Sequence, residues 1–441
     1  MLPDPTVPAS LLAVLQLLRG CFTAPSFRTF CALVTGMIAQ TGQRTVTGML
    51  LGAGLTRFWP HDHAHSFFSR AAWNPDVLGL SLSHLVARHL VAPDGPLLVA
   101  VDDTLFKRRG KKIFGAAWQH DGAATGPTPV GRGTCFVVIG IVVDLPFLSR
   151  PVCLPVLARL WRPNSGVSKV ELAAQLLTLL SAAHAGRRID AVADAAYHGP
   201  ALRDLPPTCT FTTRLPASAV LYDLAPPRTG KRGRPALKGQ RLGTPKELAA
   251  NATWTTVTAR RYRRTVTVQV SVVTCLWYGS FHTRTLRLVL VRDPGSAKAY
   301  DLALVTTDPN ATAATLIARY GARWSIEVAF EDARLIFGVG QARNRTPRAV
   351  QRAVPFGLFT YTITIVWYAL HGHHPQDAAD HRARAPWYTS KTEPSVADMA
   401  AKLRRVIIAA RFMPARPGQP TIEEIREVQH AWATASLDHA A

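Results

Sequence analysis

Acidic side chains are scarce in this chain: 28 Asp and Glu stand against 51 Lys and Arg, a formal net charge of +23 over 441 residues. The basic residues run the whole length, which favours nucleic acid over a membrane surface as the partner. A histone-like structural binder would share that charge, so it selects the partner and not the activity. Cysteine is sparse too. The six (Cys21, Cys31, Cys135, Cys153, Cys209 and Cys275) form neither C-x-x-C pairs nor a dense cluster. A disulfide scaffold is thereby excluded, and reduced core thiols of a cytosolic protein are predicted. The N-terminus, MLPDPTVPAS, lacks the basic start of a secretory signal. One long hydrophobic run, 353–370, is interrupted by Pro355 and Gly357, carries Thr360, Thr362 and Thr364, and stands alone. It reads as a buried helix and not as a membrane span. Neither a Walker-type phosphate loop nor a Ser-His-Asp grouping is evident.

What is present is a large apolar fraction, 48%. It allows a sizeable core, and the length suits two to four domains. Residues 1–92 alternate apolar helical stretches with breaks at Pro60 and Pro75, predicting a helical N-terminal region. In that region His61, His63 and His65 alternate; a polar helix entry explains them better than a metal site without a fourth ligand. From 95 to 216 the period changes. Pro96-LLVAVDDT reads as a buried strand ending in Asp102 and Asp103, followed by the basic run Lys107, Arg108, Arg109, Lys111 and Lys112. Two strands, a helix over Lys169–Ala183, a strand running into Asp194, a short turn and a last strand at Cys209–Arg214 complete a mixed α/β sheet. Residues 217–309 carry a Gly/Pro-rich basic loop containing Lys231, Arg232 and Arg234, then Thr/Val-rich strands. The loop sequence Lys231-RGRP is similar to AT-hook clamps of the minor groove, although any basic Gly/Pro linker can mimic it. Residues 310–370 return to the core, and 371–441 form a linker, a helix at Val396–Arg411 and a tail.

The stretch YGARWSIEVAFEDAR sits in a helix-favouring run over 311–337. On such a helix Tyr320, Arg323, Glu327 and Arg334 share one stripe. A carboxylate between two guanidinium groups and a phenol suits a site that handles phosphate and a cation; a solvated face with an (i, i+4) Arg–Glu pair is the plain alternative. Asp102 or Asp103, Asp194 and Glu327 lie at the end of the first strand, the end of the fourth and a helix packed beside them, where open α/β sheets place their sites. Three carboxylates together repel unless cations neutralise them. Oxygen-only ligation suits Mg²⁺ or Mn²⁺, and two such ions would serve phosphodiester chemistry.

These residues resemble the DDE transposases of bacterial insertion sequences, whose signature is Tyr-x2-Arg-x3-Glu-x6-Lys. Here it reads Tyr320, Arg323, Glu327 and Arg334 in place of the lysine. Asp194-Ala-Ala-Tyr197 fits the block around the second acid and Arg214-Leu-Pro fits loosely the block downstream. Asp103-Thr104 matches the first acid, with Asp102 as its rival. The resemblance covers roughly 95–370. It implies a ribonuclease-H-like fold with a β-rich insertion before the catalytic helix, and Asp103, Asp194 and Glu327 as catalytic metal ligands with Asp102 beside them. It further implies cut-and-paste cleavage of double-stranded DNA at transposon ends through hairpins, by a homodimer, in the bacterial cytoplasm. By the same resemblance Tyr320, Arg323 and Arg334 contact phosphates, Trp254 or Trp277 holds a flipped base, and the N-terminal helices bind the ends; on this reading the basic run Lys107, Arg108, Arg109, Lys111 and Lys112 faces DNA backbone, with Lys231, Arg232 and Arg234 of the loop. Arg334 keeps the lysine's charge in forked form. Two readings of other classes stand beside it: a catalytically silent DNA-binding regulator on the same scaffold, and a structural nucleic-acid binder.

Overall fold

The structure, a computed structural model, describes residues 4–122, 127, 129–227, 234–261, 264–412 and 426. Five helices open the chain: α1 (Ala9–Gln16), α2 (Ala24–Ala39), α3 (Val46–Gly52), α4 (His61–Ser69) and α5 (Pro75–Leu90). Local chemistry starts them. Pro75 occupies the first position of α5 while the Asn74 side chain caps the Asp76 amide at 2.8 Å. In α3 the Thr45 hydroxyl accepts from Gly48.

The core begins with β1 (Leu97–Lys107), β2 (Ala117–His120), β3 (Val130–Val143) and β4 (Val152–Trp161). The uninterrupted apolar run of β3 is buried on both faces, as a central strand requires. Gly140 sits at a register shift, where a Cβ would meet Cys153 Sγ at 2.2 Å. Helix α6 (Lys169–Ala183) follows with a full capping box between Ser168 and Glu171. Then come β5 (Ile189–Ala193), β6 (Cys209–Arg214), a small ribbon of β7 (Leu221–Tyr222) with β8 (Arg241–Gly243), α7 (Pro245–Ala250), β9 (Thr255–Arg261), β10 (Arg264–Cys275), α8 (Tyr278–Phe281), β11 (Leu286–Arg292) and β12 (Leu302–Thr306).

The sheet order is β2-β3-β1-β5-β6-β12-β11-β10-β9, with β4 on the far side of β3. β1 is antiparallel to β3 and parallel to β5. This is the expected mixed α/β, ribonuclease-H-like sheet. The Thr/Val-rich strands after residue 217 extend that same sheet, because β12 pairs with β6 and carries β11, β10 and β9 outward.

Helices α9 (Ala313–Arg323), α10 (Ser325–Leu335), α11 (Pro347–Trp367), α12 (Asp377–Arg384) and α13 (Val396–Phe412) complete the chain. The helix expected to run unbroken over 311–337 pauses at Trp324. There the Ser325 hydroxyl bonds the Ala322 carbonyl at 2.7 Å and competes with the helical ladder. The apolar run at 353–370 lies in α11 and in the π-helical turn Tyr368–Gly372 that continues it. It is long and apolar enough to cross a membrane, but 89% of its apolar window is buried inside the protein. Its threonines are satisfied internally, Thr360 by Phe356, Thr362 by Pro155 and Thr364 by Thr360. The opening helices pack on α11 and on β4, so they share one apolar core with the sheet. All six cysteines are free, five of them buried.

The α5–α6 seam carries a titration. His184 is 7% exposed, bonds Ser83 Oγ at 2.9 Å and lies 4.3 Å from the His84 ring. Burial, then the charges of His84 and Arg187, lower its pKa to about 4. A depressed imidazole favours the neutral folded state, so this contribution is complete above about pH 6.5 and is lost as pH falls towards 4. Urea denaturation should show about 3 kcal/mol less stability across that window, at most. His184→Gln should flatten the loss; parallel losses in variant and wild type would contradict the assignment.

Candidate active site

The alternation of β1 decides which acids meet. Neighbouring strand residues point to opposite faces. Asp102, Thr104 and Phe106 face the side covered by α9 and α10, whereas Asp103 faces α6. On the first face Asp102 Oδ2 receives Arg323 Nη1 at 3.1 Å, and Arg323 Nη2 donates to Glu327 Oε1 at 2.8 Å. Two turns further along α10, Arg334 donates to Thr104 and to the Leu105 carbonyl, over the Phe106 ring at 5.3 Å.

Asp194 joins this face through strand register. Leu97 pairs with Ile189 and Ala100 with Val192; the pairing ends there, and two residues further along each segment Asp102 and Asp194 come near enough for their charges to interact. Neighbouring strands lie about 4.8 Å apart. Asp194 is held at the strand end, its Oδ1 accepting from the Ala196 amide at 2.8 Å and its carbonyl from Thr213. Burial raises the Asp102 carboxyl to about 7; Arg323 opposes that rise, and Asp194 and Asp103 add to it.

Asp103, the residue matched to the first acid by sequence, has other partners. Lys169 Nζ lies 2.6 Å from Oδ2, Tyr197 donates its hydroxyl to Oδ1 at 3.0 Å, and the Cys135 thiol lies 3.2 Å from Oδ2. It ties the loop bearing Asp194, through Tyr197, to β1 and α6. Tyr197 was visible in the Asp194-Ala-Ala-Tyr197 block. Lys169 carried no signal, being the ordinary first residue of an amphipathic helix.

The remaining predicted residues fall into three groups. Tyr320 lies under Arg323, its ring centroid 5.6 Å from the guanidinium carbon. Arg109, Lys111 and Lys112 are exposed on the β1–β2 turn, and Arg234 is exposed as well. Lys107 is exposed but pairs with buried Asp121 at 3.0 Å. Arg108, expected to face DNA, is instead 7% exposed and donates to the Ala342 carbonyl. The strand parity that turns Lys107 and Arg109 outward turns Arg108 inward. Lys231 and Arg232 lie outside the described residues. Trp254 is covered by Arg292 at 4.2 Å, and Trp277, 6% exposed, packs tilted against the His198 ring at 4.7 Å. His63 bonds Thr29 at 2.9 Å.

For a divalent ion the donor chemistry fits: Asp102, Asp194 and Glu327 offer hard oxygen ligands on one face. The positive charge between Asp102 and Glu327 is supplied here by Arg323. With the guanidinium there, the three carboxylates do not close on a shared centre. Among the described residues no group of three or more His, Cys, Asp or Glu stands in a metal-holding arrangement.

The first strand, expected to end in Asp102 and Asp103, runs on to Lys107 and holds both acids in its interior, because its pairing with β3 continues past them. A ribonuclease-H-like sheet with acids on its central strand and at the end of the next, and a glutamate on the helix above, defines a class of polynucleotide-cleaving domains. This chain belongs to the DDE superfamily endonuclease family, whose sequence profile matches residues 17–284. The matched span includes Asp102, Asp103 and Asp194 and ends before Glu327. A comparison with curated proteins returns no match.

Proposed function

We propose that this endonuclease-family protein is the transposase of a bacterial insertion sequence, cleaving and joining DNA at element ends with Asp102, Asp194 and Glu327 as its metal-binding acids. The observation that carries the reading is the convergence of Arg323 on both Asp102 and Glu327, with Asp194 near enough to Asp102 to act on its carboxyl. Divalent ions held by these carboxylates would activate the attacking oxygen and stabilise the leaving one. Arg323 exchanges its carboxylate partners for a DNA phosphate when the site is loaded, a task suited to a forked donor. Tyr320 packs against that guanidinium and sets its plane. Asp103 holds Lys169 and Tyr197 and so fixes the Asp194 loop relative to β1.

Cut-and-paste chemistry, hairpin ends and a homodimeric working complex follow from the same resemblance. The test is direct. Purified full chain should nick a labelled duplex carrying candidate ends with Mg²⁺ or Mn²⁺ and not with EDTA. Tight binding without cleavage under any divalent ion would instead mark a silent DNA-binding regulator.

A further inference from the structure

Past the end of α10 the chain doubles back at Gly338 (φ 61°) and Gly340 (φ 98°), conformations that glycine adopts freely. At Gly340 a Cβ would also approach Phe106 to 2.8 Å. The strap that follows, 341–345, alternates. Ala342 and Asn344 are buried, while Gln341, Arg343 and Arg345 are exposed.

The strap is pinned on both sides. Towards the sheet, the Phe114 amide donates to the Arg345 carbonyl at 3.0 Å, and buried Arg108 donates to the Ala342 carbonyl. The β1–β2 turn next to it, with Arg109, Lys111 and Lys112 exposed, is held by Arg132. That guanidinium donates to the carbonyls of Arg108 at 3.1 Å, Gly110 at 2.8 Å and Lys111 at 3.4 Å. Towards the opening helices, the Arg44 amide donates to Gln341 Oε1 at 2.7 Å and Arg343 reaches Gln43 at 3.5 Å. Between them opens a cavity of about 370 Å³ lined by Gln43, Thr45, Val46, Thr47, His65 and Arg343. His65, one of the alternating histidines, thus faces an arginine and hydroxyls rather than a set of metal ligands.

Segments 40–61, 104–120 and 333–376 meet here, and none contains Asp or Glu. Exposed cations on segments that themselves carry no acid, with Asp62 and the Lys107-paired Asp121 just beyond their ends, stand beside a polar notch and form a surface for a phosphodiester backbone.

We infer that this seam is a second DNA-binding surface: a duplex lies across the strap, with one wall from the β1–β2 turn and the other from the opening helices, and a backbone phosphate seats at Arg343. The inference rests on the reading that DNA is the substrate, and it adds a place where the helical region and the sheet grip the same duplex. It also explains why Arg108 faces inward, since its bond to the strap fixes the floor on which Arg343 and Arg345 stand.

The experiment is fluorescence anisotropy of the full chain with a labelled duplex in EDTA, titrated from about 50 to 200 mM salt. The Arg343→Gln/Arg345→Gln double variant should bind roughly tenfold more weakly per arginine, with a salt slope shallower by about two. Thr47→Glu, on the opposite wall, should weaken binding several-fold, because it sets a negative charge in the phosphate notch. Unchanged affinity and slope in both variants, with melting curves unaltered, would overturn the inference. With a labelled single strand titrated alongside, loss of single-strand binding with duplex binding intact would overturn the duplex assignment. Nicking of the same duplex by wild type with Mn²⁺ reports separately on catalysis. If the slopes change and no ion supports nicking, the surface stands and the catalytic reading falls.

Discussion

Asp102→Asn should abolish divalent-metal-dependent nicking, by about 10³-fold or more, and Glu327→Gln should match it; removing one of three charged ligands forfeits several kcal/mol of stabilisation at the reacting phosphate. Asp103→Asn should cost far less, roughly tenfold, through the loosened Lys169 and Tyr197 contacts. The contrast between adjacent aspartates is the informative part. Asp102 lies near enough to Asp194 for their charges to interact and shares Arg323 with Glu327, whereas Asp103 is engaged by α6. Single-turnover cleavage of a labelled duplex by the three variants measures it. Near-wild-type nicking by Asp102→Asn, with Asp103→Asn inactive, would reverse the assignment on β1.

The largest stability loss is expected at the other end of β5. Asp190, with its side chain 3% exposed, accepts from Arg188 at 2.9 Å, Arg319 at 2.7 Å and Thr210 at 2.7 Å. Arg319 also pairs with Asp308 at 3.2 Å, and Arg188 reaches the same carboxylate. Removing Asp190 leaves the largely buried Arg319 and the more exposed Arg188 sharing a single acid, a change that costs about 3 kcal/mol once solvent screening of Arg188 is allowed for. Asp190→Ala should therefore shift the urea midpoint far below that of wild type. Arg319 lies one turn before Arg323 on α9, so the clamp also sets the helix that enters the site. Nicking well below the melting temperature should fall as well. A midpoint within experimental error of wild type would show that the network contributes no net stability.

Much of the fold was readable from pattern alone. The switch from helical to strand period near residue 95, the helix over Lys169–Ala183 and the strand running into Asp194 each depend on a few neighbouring residues, and local chemistry settles them. The pause at Trp324 was less visible, because a serine hydroxyl turning back on a carbonyl leaves no trace in hydrophobic spacing. The inward turn of Arg108 was hidden by composition: a run of basic residues looks uniformly solvated, yet the alternation of β1, carried one residue past its end, turns Arg108 inward while the rest of the run stays exposed. The Lys169 and Tyr197 contacts to Asp103 join residues 66 and 94 positions away, and no spacing rule reaches that far.

By itself the sequence determined a basic, nucleic-acid-directed α/β protein, the order of its acidic blocks along the chain and the helix that bears Glu327. These depend on composition and on periodicities short enough to be written in one segment. Only the tertiary structure decided which of two neighbouring aspartates joins Asp194, what holds the other, and that the opening helices and the 341–345 strap form one seam. The reason is physical: a strand shows alternate side chains to opposite faces, and the register that aligns two strands 92 residues apart belongs to the pair and to neither strand alone.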